Sequence, residues 1–230
     1  MRSGSEVSRD PRSERDTPSE PLARLEWDAG LEGLVRLSAA LASGSADRLE
    51  AGVAEAARVC EPLEVEEALL QSYLFLGFPS ALNAFAVWRR VSGRAAPDVP
   101  DEVGADPLAA WEARGERTCR RVYGRAYDGL RENIGRLQPD LDRWMVQEGY
   151  GKVLSRPGLT LGRRECCIAA ILAVKGAKPQ FRSHLRGALR CGLEVEAVDR
   201  LFATIDPYLN ESTRRDAHAV RDVVVEREET

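Results

Sequence analysis

The 230-residue chain has only two histidines, His184 and His218, and five cysteines, none of them spaced as a CxxC pair. Zinc asks for about four nitrogen or sulfur ligands at suitable spacing, so no metal site can be read. A secreted disulfide scaffold would carry an even and denser cysteine set than Cys60, Cys119, Cys166, Cys167 and Cys191. Reduced thiols in a reducing compartment are therefore expected. No apolar run approaches the roughly 18 residues of a membrane span, so no membrane partner is expected. The opening MRSGSEVSRDPRSERDTPSE has no apolar h-region and contains five acids. It reads as neither a secretory signal nor a mitochondrial presequence, and the expected location is cytoplasmic. A formal charge of −4 supplies no basic face, so no nucleic-acid partner is expected.

What the chain does have is enough apolar matter, 43 %, to fill a core, with 30 % charged residues to cover it. Those values exclude wholesale disorder, and the length fits one compact domain or two small ones. Val122, Tyr123, Ala126, Tyr127 and Leu130 recur three and four apart. Ile168, Ile171, Leu172 and Val174 form a second helical stripe, with Thr160 placed to cap it, and Val195, Val198, Leu201, Phe202 and Ile205 a third. No alternating run bounded by hairpin turns is present, so the expected fold is all-α. Ser, Pro and charged residues fill 1–24, expected to be a disordered tail. Gly, Pro and acids interrupt 92–114, expected to be a linker, and 226–230 reads as a short tail.

The remaining segments, 25–91 and 115–225, echo one another. Leu63-Glu64-Val65-Glu66 recurs as Leu193-Glu194-Val195-Glu196, and Cys60 and Cys191 stand just ahead of the two copies. Upstream, AGVAEAARVC answers SHLRGALRC, and RLSAALASG answers CIAAILAVKG. Three segments in one order at a nearly constant offset predict an internal duplication of a helical-bundle repeat.

Glu165 shares a helix face with Leu161, Ile168 and Leu172, and His184 shares one with Phe181, Ala188 and Cys191. A carboxylate among apolar walls needs a partner. Two readings stay open: a buried structural hydrogen bond, or an acid–base couple with the carboxylate fixing the imidazole tautomer. Cys166 and Cys167 diverge by about 100° on a helix and read as small core residues. His218, among Arg214, Arg215 and Asp222, reads as a surface residue. Arg163 and Arg164 could orient a substrate carboxylate or simply be exposed helix charges. Arg156 could brace its loop.

Residues 115–222 resemble the carboxymuconolactone decarboxylase family, which includes alkylhydroperoxidase-D-like proteins. The resemblance is carried by Tyr150-Gly151, Arg156-Pro157-Gly158-Leu159, Arg164-Glu165, His184-Leu185, Ala188-Leu189 and Gly192. Phe75-Leu76-Gly77-Phe78-Pro79 echoes the end of a family repeat in the first half. The resemblance implies duplicated helical-bundle repeats, assembly into homotrimers or homohexamers, and an active site containing Glu165 and His184. It implies a cofactor-independent lyase acting on a small carboxylated lactone or related organic acid, with Arg164 and Gln180 as substrate-binding candidates. The peroxidase branch carries a CxxC where Ala177 and Gln180 stand here, so a thiol-dependent antioxidant activity is the weaker alternative. A non-catalytic helical oligomer is the other. Aligning the halves puts Leu34 and Val53 opposite Glu165 and His184, so one half alone would carry the site.

Overall fold

The computed structural model describes residues 23–96 and 107–228, and it is all-α. Among the described residues there is no strand beyond one isolated bridge, Leu25 to Leu193. Helix α1 (Ala29–Ala42) starts where the Asp28 carboxylate accepts from the Leu31 amide at 2.6 Å, and α2 (Ala46–Val59) starts at Ser45 in the same manner. Then follow α3 (Pro62–Gln71) and α4 (Tyr73–Ser92). Helix α4 is broken by Gly77, whose φ of 77° is a left-handed conformation that side chains resist. After residue 106 come α5 (Pro107–Tyr123), a 3₁₀ turn at Gly124–Ala126, α6 (Tyr127–Leu137) and α7 (Pro139–Trp144). Helix α7 runs into a π-helix, Met145–Leu154. The chain closes with α8 (Leu161–Val174), α9 (Lys178–Arg190), α10 (Ala197–Ile205) and α11 (Glu211–Glu228).

Helix α8 is the central rod. Thr160 caps it through the Arg163 amide, as its sequence suggests, and every residue from Arg164 to Ala173 is buried. A helix buried all round needs neighbours on every side. Helix α1 packs along it, and their two faces serve two apolar clusters. Leu31, Val35 and Ala39 of α1 join Cys166, Ile168, Phe181 and Leu201 in one cluster. Leu34 and Leu37 join Val53, Leu69, Trp88 and Cys167 in the other. Adjacent Cys166 and Cys167 thus point into different cores, as the helical turn between them requires.

Two boundaries differ from the sequence expectation. Most of the expected 1–24 tail lies outside the described residues, and Leu25, the first residue of the expected repeat, donates its amide to the Gly192 carbonyl at 2.8 Å. Residues 107–114, expected in the linker, are the start of α5: Pro107 has a φ preset for a first turn, and the helix gains packing against the π-helix. Residues 226–228, expected as tail, continue α11. The stripe from Val122 to Leu130, expected as one helix, is divided at Gly124, where φ is 55°.

The α5–π-helix contact is unusually close. A Cβ on Gly115 would lie 2.0 Å from the Val146 carbonyl oxygen, and one on Gly151 would lie 1.9 Å from that of Trp111. The two backbones touch because neither glycine has a side chain. This contact holds Tyr123 and Tyr150, one from each element, with ring centroids 6.1 Å apart.

Candidate functional site

Helices α8 and α9 bring Glu165 and His184 together: Oε2 and Nδ1 are 2.8 Å apart. Glu165 is fully buried and His184 is 6 % exposed. Accommodation of the carboxylate depends on Gly187, one turn beyond His184, where a Cβ would come 2.4 Å from Glu165 Oε2 and 2.8 Å from a Val122 methyl. An ionised carboxylate only accepts hydrogen bonds, so beside one the Nδ1–H is the donor and Nε2 is the ring nitrogen not engaged by Glu165. The second carboxylate oxygen, Oε1, is buried and accepts no hydrogen bond from the described residues.

Aromatic edges frame the imidazole. Phe75 of α4 meets it at 5.7 Å and 87°, and Tyr123 of α5 at 6.3 Å and 71°. Burial, with the nearby Glu165 charge adding to it, pushes the Tyr123 and Tyr150 phenols well up, so both stay protonated. The first half therefore contributes to the site through Phe75, while Leu34 and Val53, which the expected repeat sets opposite the pair, lie sealed in an apolar cluster.

The arginines do something the sequence did not suggest. Arg164, expected as a substrate-binding residue, is fully buried and bound elsewhere. Its guanidinium donates to Glu67 Oε2 at 2.8 Å, to Gln71, and to the carbonyls of Leu159 and Arg156. Arg156 closes on both oxygens of the same Glu67 at 3.0 to 3.1 Å. Burial pulls Arg164 below its ordinary pKa, while Glu67 opposes that shift. Arg163 pairs with Glu64 and with Asp28, the cap of α1. Neither Arg163 nor Arg164 is an exposed helix charge or a free anion receptor; both fasten α8 to the first half. Gln180 is exposed, one turn before His184 on α9. Sequence reasoning missed Glu67, Tyr123 and Gly187, because each matters through contacts with distant segments and none sits in a local motif.

All five cysteines are buried and unpaired. Burial pushes Cys60, Cys119 and Cys191 up to about 12 and Cys167 to about 11, and raises Cys166 strongly. Thiols held so far above neutrality present almost no thiolate nucleophile. Among the described residues no three His, Cys, Asp or Glu side chains converge as a metal would need, and no helix is long and apolar enough to cross a membrane.

Clefts lie elsewhere, among them one of about 420 Å³ beside Trp111, Trp144 and Lys152, and one of about 560 Å³ beside Phe202 and the exposed His218. Neither is lined by Glu165 or His184.

No family model matches the chain. It is 30 % identical over 138 residues to Peroxisomal protein 2 of Schizosaccharomyces pombe, an alignment covering 59 % of this chain and 63 % of that protein.

Proposed function

We propose that the chain is a cofactor-independent acid–base enzyme of the carboxymuconolactone decarboxylase type, acting on a small organic acid or lactone. The observation that supports this best is the buried Glu165–His184 pair, in which Glu165 Oε1 has no donor among the described residues. A purely structural carboxylate would be expected to satisfy both oxygens, since an unpaired buried acceptor costs about 1–3 kcal/mol. In this reading His184 Nε2 delivers or removes the proton. Glu165 holds the tautomer and stabilises the imidazolium. Because Arg164 is bound to Glu67, the substrate carboxylate has to be met by another group. Gln180, one turn before His184 on the same helix, is the remaining candidate. The antioxidant alternative is weakened by the depth and raised pKa of every thiol.

The structural alternative draws on the small exposure of His184, and one experiment separates the two. Carbon dioxide release from a panel of unsaturated lactone carboxylates should fall about 100-fold in His184→Ala, and clearly in Glu165→Gln. The double variant should lose less than the sum of the two effects. If the variants only lose thermal stability, or if no member of the panel is turned over, the enzymatic reading falls.

We further propose that the two helical segments descend from one duplicated repeat, and that the chain assembles as a homotrimer or homohexamer. Exposed Leu63, Phe78, Leu82 and Leu137, each more than half accessible, favour burial in an assembly. Sedimentation at micromolar concentration giving a 25.4 kDa species would rule that assembly out. For location, the cytoplasmic expectation stands beside the peroxisomal address in the relative's name; subcellular fractionation decides between them.

A further inference from the structure

His184 is covered by a piece of the first half that is built differently from its surroundings. The opening turn of α4 is held at its base by Ser72, whose carbonyl accepts from the Phe75 and Leu76 amides at 3.0 and 2.9 Å. At its far end the helix breaks at Gly77, and Pro79 follows without an amide hydrogen to offer. Residues 73–76 are therefore a single turn bounded by a kink, rather than the interior of a rod. Phe75 points from this turn onto the imidazole.

The same turn is half-buried, with Tyr73, Leu74 and Phe75 against one apolar cluster and Leu76 against the other, and a polar contact fastens its outer side. The Tyr73 hydroxyl donates to Glu148 Oε1 on the π-helix at 3.0 Å, and the Tyr73 ring stacks on Phe78 at 4.9 Å. Phe78 and Leu82, beyond the kink, are each 65 % exposed, so little packs over the segment from outside. Tyr123, the other ring against His184, sits on α5, which is sealed to the π-helix by glycine contacts. Both aromatic covers stand beside a break, Phe75 two residues before Gly77 and Tyr123 one before Gly124, but only the element of Tyr123 is sealed to the π-helix by glycine contacts.

We infer that the Tyr73–Leu76 turn is a gate to His184 Nε2, with Phe75 as its leaf and the Tyr73–Glu148 hydrogen bond as its latch. The inference builds on the acid–base reading of the pair, yet it concerns access and can be tested without a substrate. A gate explains why a histidine only 6 % exposed can still serve chemistry: the opening is local, within one turn, and leaves α8 and α9 undisturbed.

The two histidines make the test direct, because exposed His218 is an internal standard for His184 in every sample. The full chain is treated with diethylpyrocarbonate, which acylates neutral imidazole, and the two peptides are followed separately by mass spectrometry. In the wild type His184 should react about tenfold or more slowly than His218. Phe75→Ala should raise the His184 rate about tenfold with His218 unchanged. Tyr73→Phe, which keeps the ring and removes the latch hydroxyl, should raise it by a smaller factor. Phe75→Leu should restore most of the protection. Buried thiols report on unfolding in the same samples: in a locally opened variant all five stay unreactive. An unchanged His184 rate in Phe75→Ala, or exposure of the thiols together with His184, overturns the gate. Loss of protection in Phe75→Ala alongside unaltered turnover in His184→Ala would keep the gate and discard the catalytic reading.

Discussion

Glu67→Ala offers the sharpest test of how the halves are joined. The carboxylate accepts from Arg164 at 2.8 Å and from Arg156 through both oxygens, and Arg164 is fully buried. Removing one partner of a buried pair costs about 3–5 kcal/mol, because the other charge stays behind uncompensated. Arg164 also donates to Gln71 and to the Leu159 and Arg156 carbonyls, so part of its solvation survives and the lower end, about 3 kcal/mol, applies. For a chain of this size that is a fall in Tm of about 6–12 °C. Urea unfolding followed by circular dichroism reads the free energy, and the m-value shows whether the transition stays two-state. Arg164→Met alone should be costly too, stranding Glu67 beside Arg156. The pair Glu67→Leu and Arg164→Met should recover much of the loss, since apolar replacement of a whole buried pair is often neutral. A loss below about 1 kcal/mol in Glu67→Ala, or additive losses in the double variant, would refute the clamp.

Three further outcomes follow from the packing and the charges. Gly187→Ala should destabilise by about 1–3 kcal/mol and shift the His184 ring resonances, since its methyl would press on Glu165 Oε2; unchanged nitrogen-15 shifts would contradict this. At pH 8 a thiol reagent should find essentially no reactive cysteine in the folded chain and five in urea, because burial holds four of the thiols up to about 11 or 12 and raises Cys166 strongly; a fast native equivalent would disprove it. The Arg89 guanidinium, with help from Trp88, holds the Glu66 carboxyl below its ordinary value of 4.5. That stabilisation is complete above the unfolded pKa and is lost as pH falls through the folded one. Arg89→Gln should therefore cost about 1 kcal/mol at pH 7 and progressively less below pH 4, and a pH-independent difference would count against the pairing.

Much of this was legible in the sequence, and the part that was not has a common cause. Periodicity gave the helices, Thr160 gave the start of α8, and the inward faces of Glu165 and His184 gave a pair that meets at 2.8 Å. All three depend on residues close in the chain or on helix geometry alone. The fate of Arg163 and Arg164 depends on Glu64 and Glu67, about a hundred residues away, and a charged residue on a helix looks the same whether it faces water or a buried acid. The same holds for Phe75: its motif was visible, but its contact with His184 requires knowing that the first half folds over the second. The start of α5 was hidden because a Pro- and Gly-rich stretch reads as linker until the π-helix beside it is in place.

The glycine-to-backbone contact between α5 and the π-helix restricts what substitution can do along both elements. Any side chain at Gly115 or Gly151 would drive a carbonyl oxygen away from a distance near 2 Å, and changing both positions would compound the separation rather than relieve it. No single-step route leads out of this arrangement through those two sites. Variation is steered instead to the outward faces, such as Leu108 and Trp144, where a change of residue leaves the spacing of Tyr123 and Tyr150 intact. The placement of the aromatic rings behind His184 thus hangs on two absent side chains rather than on the residues at the surface around them.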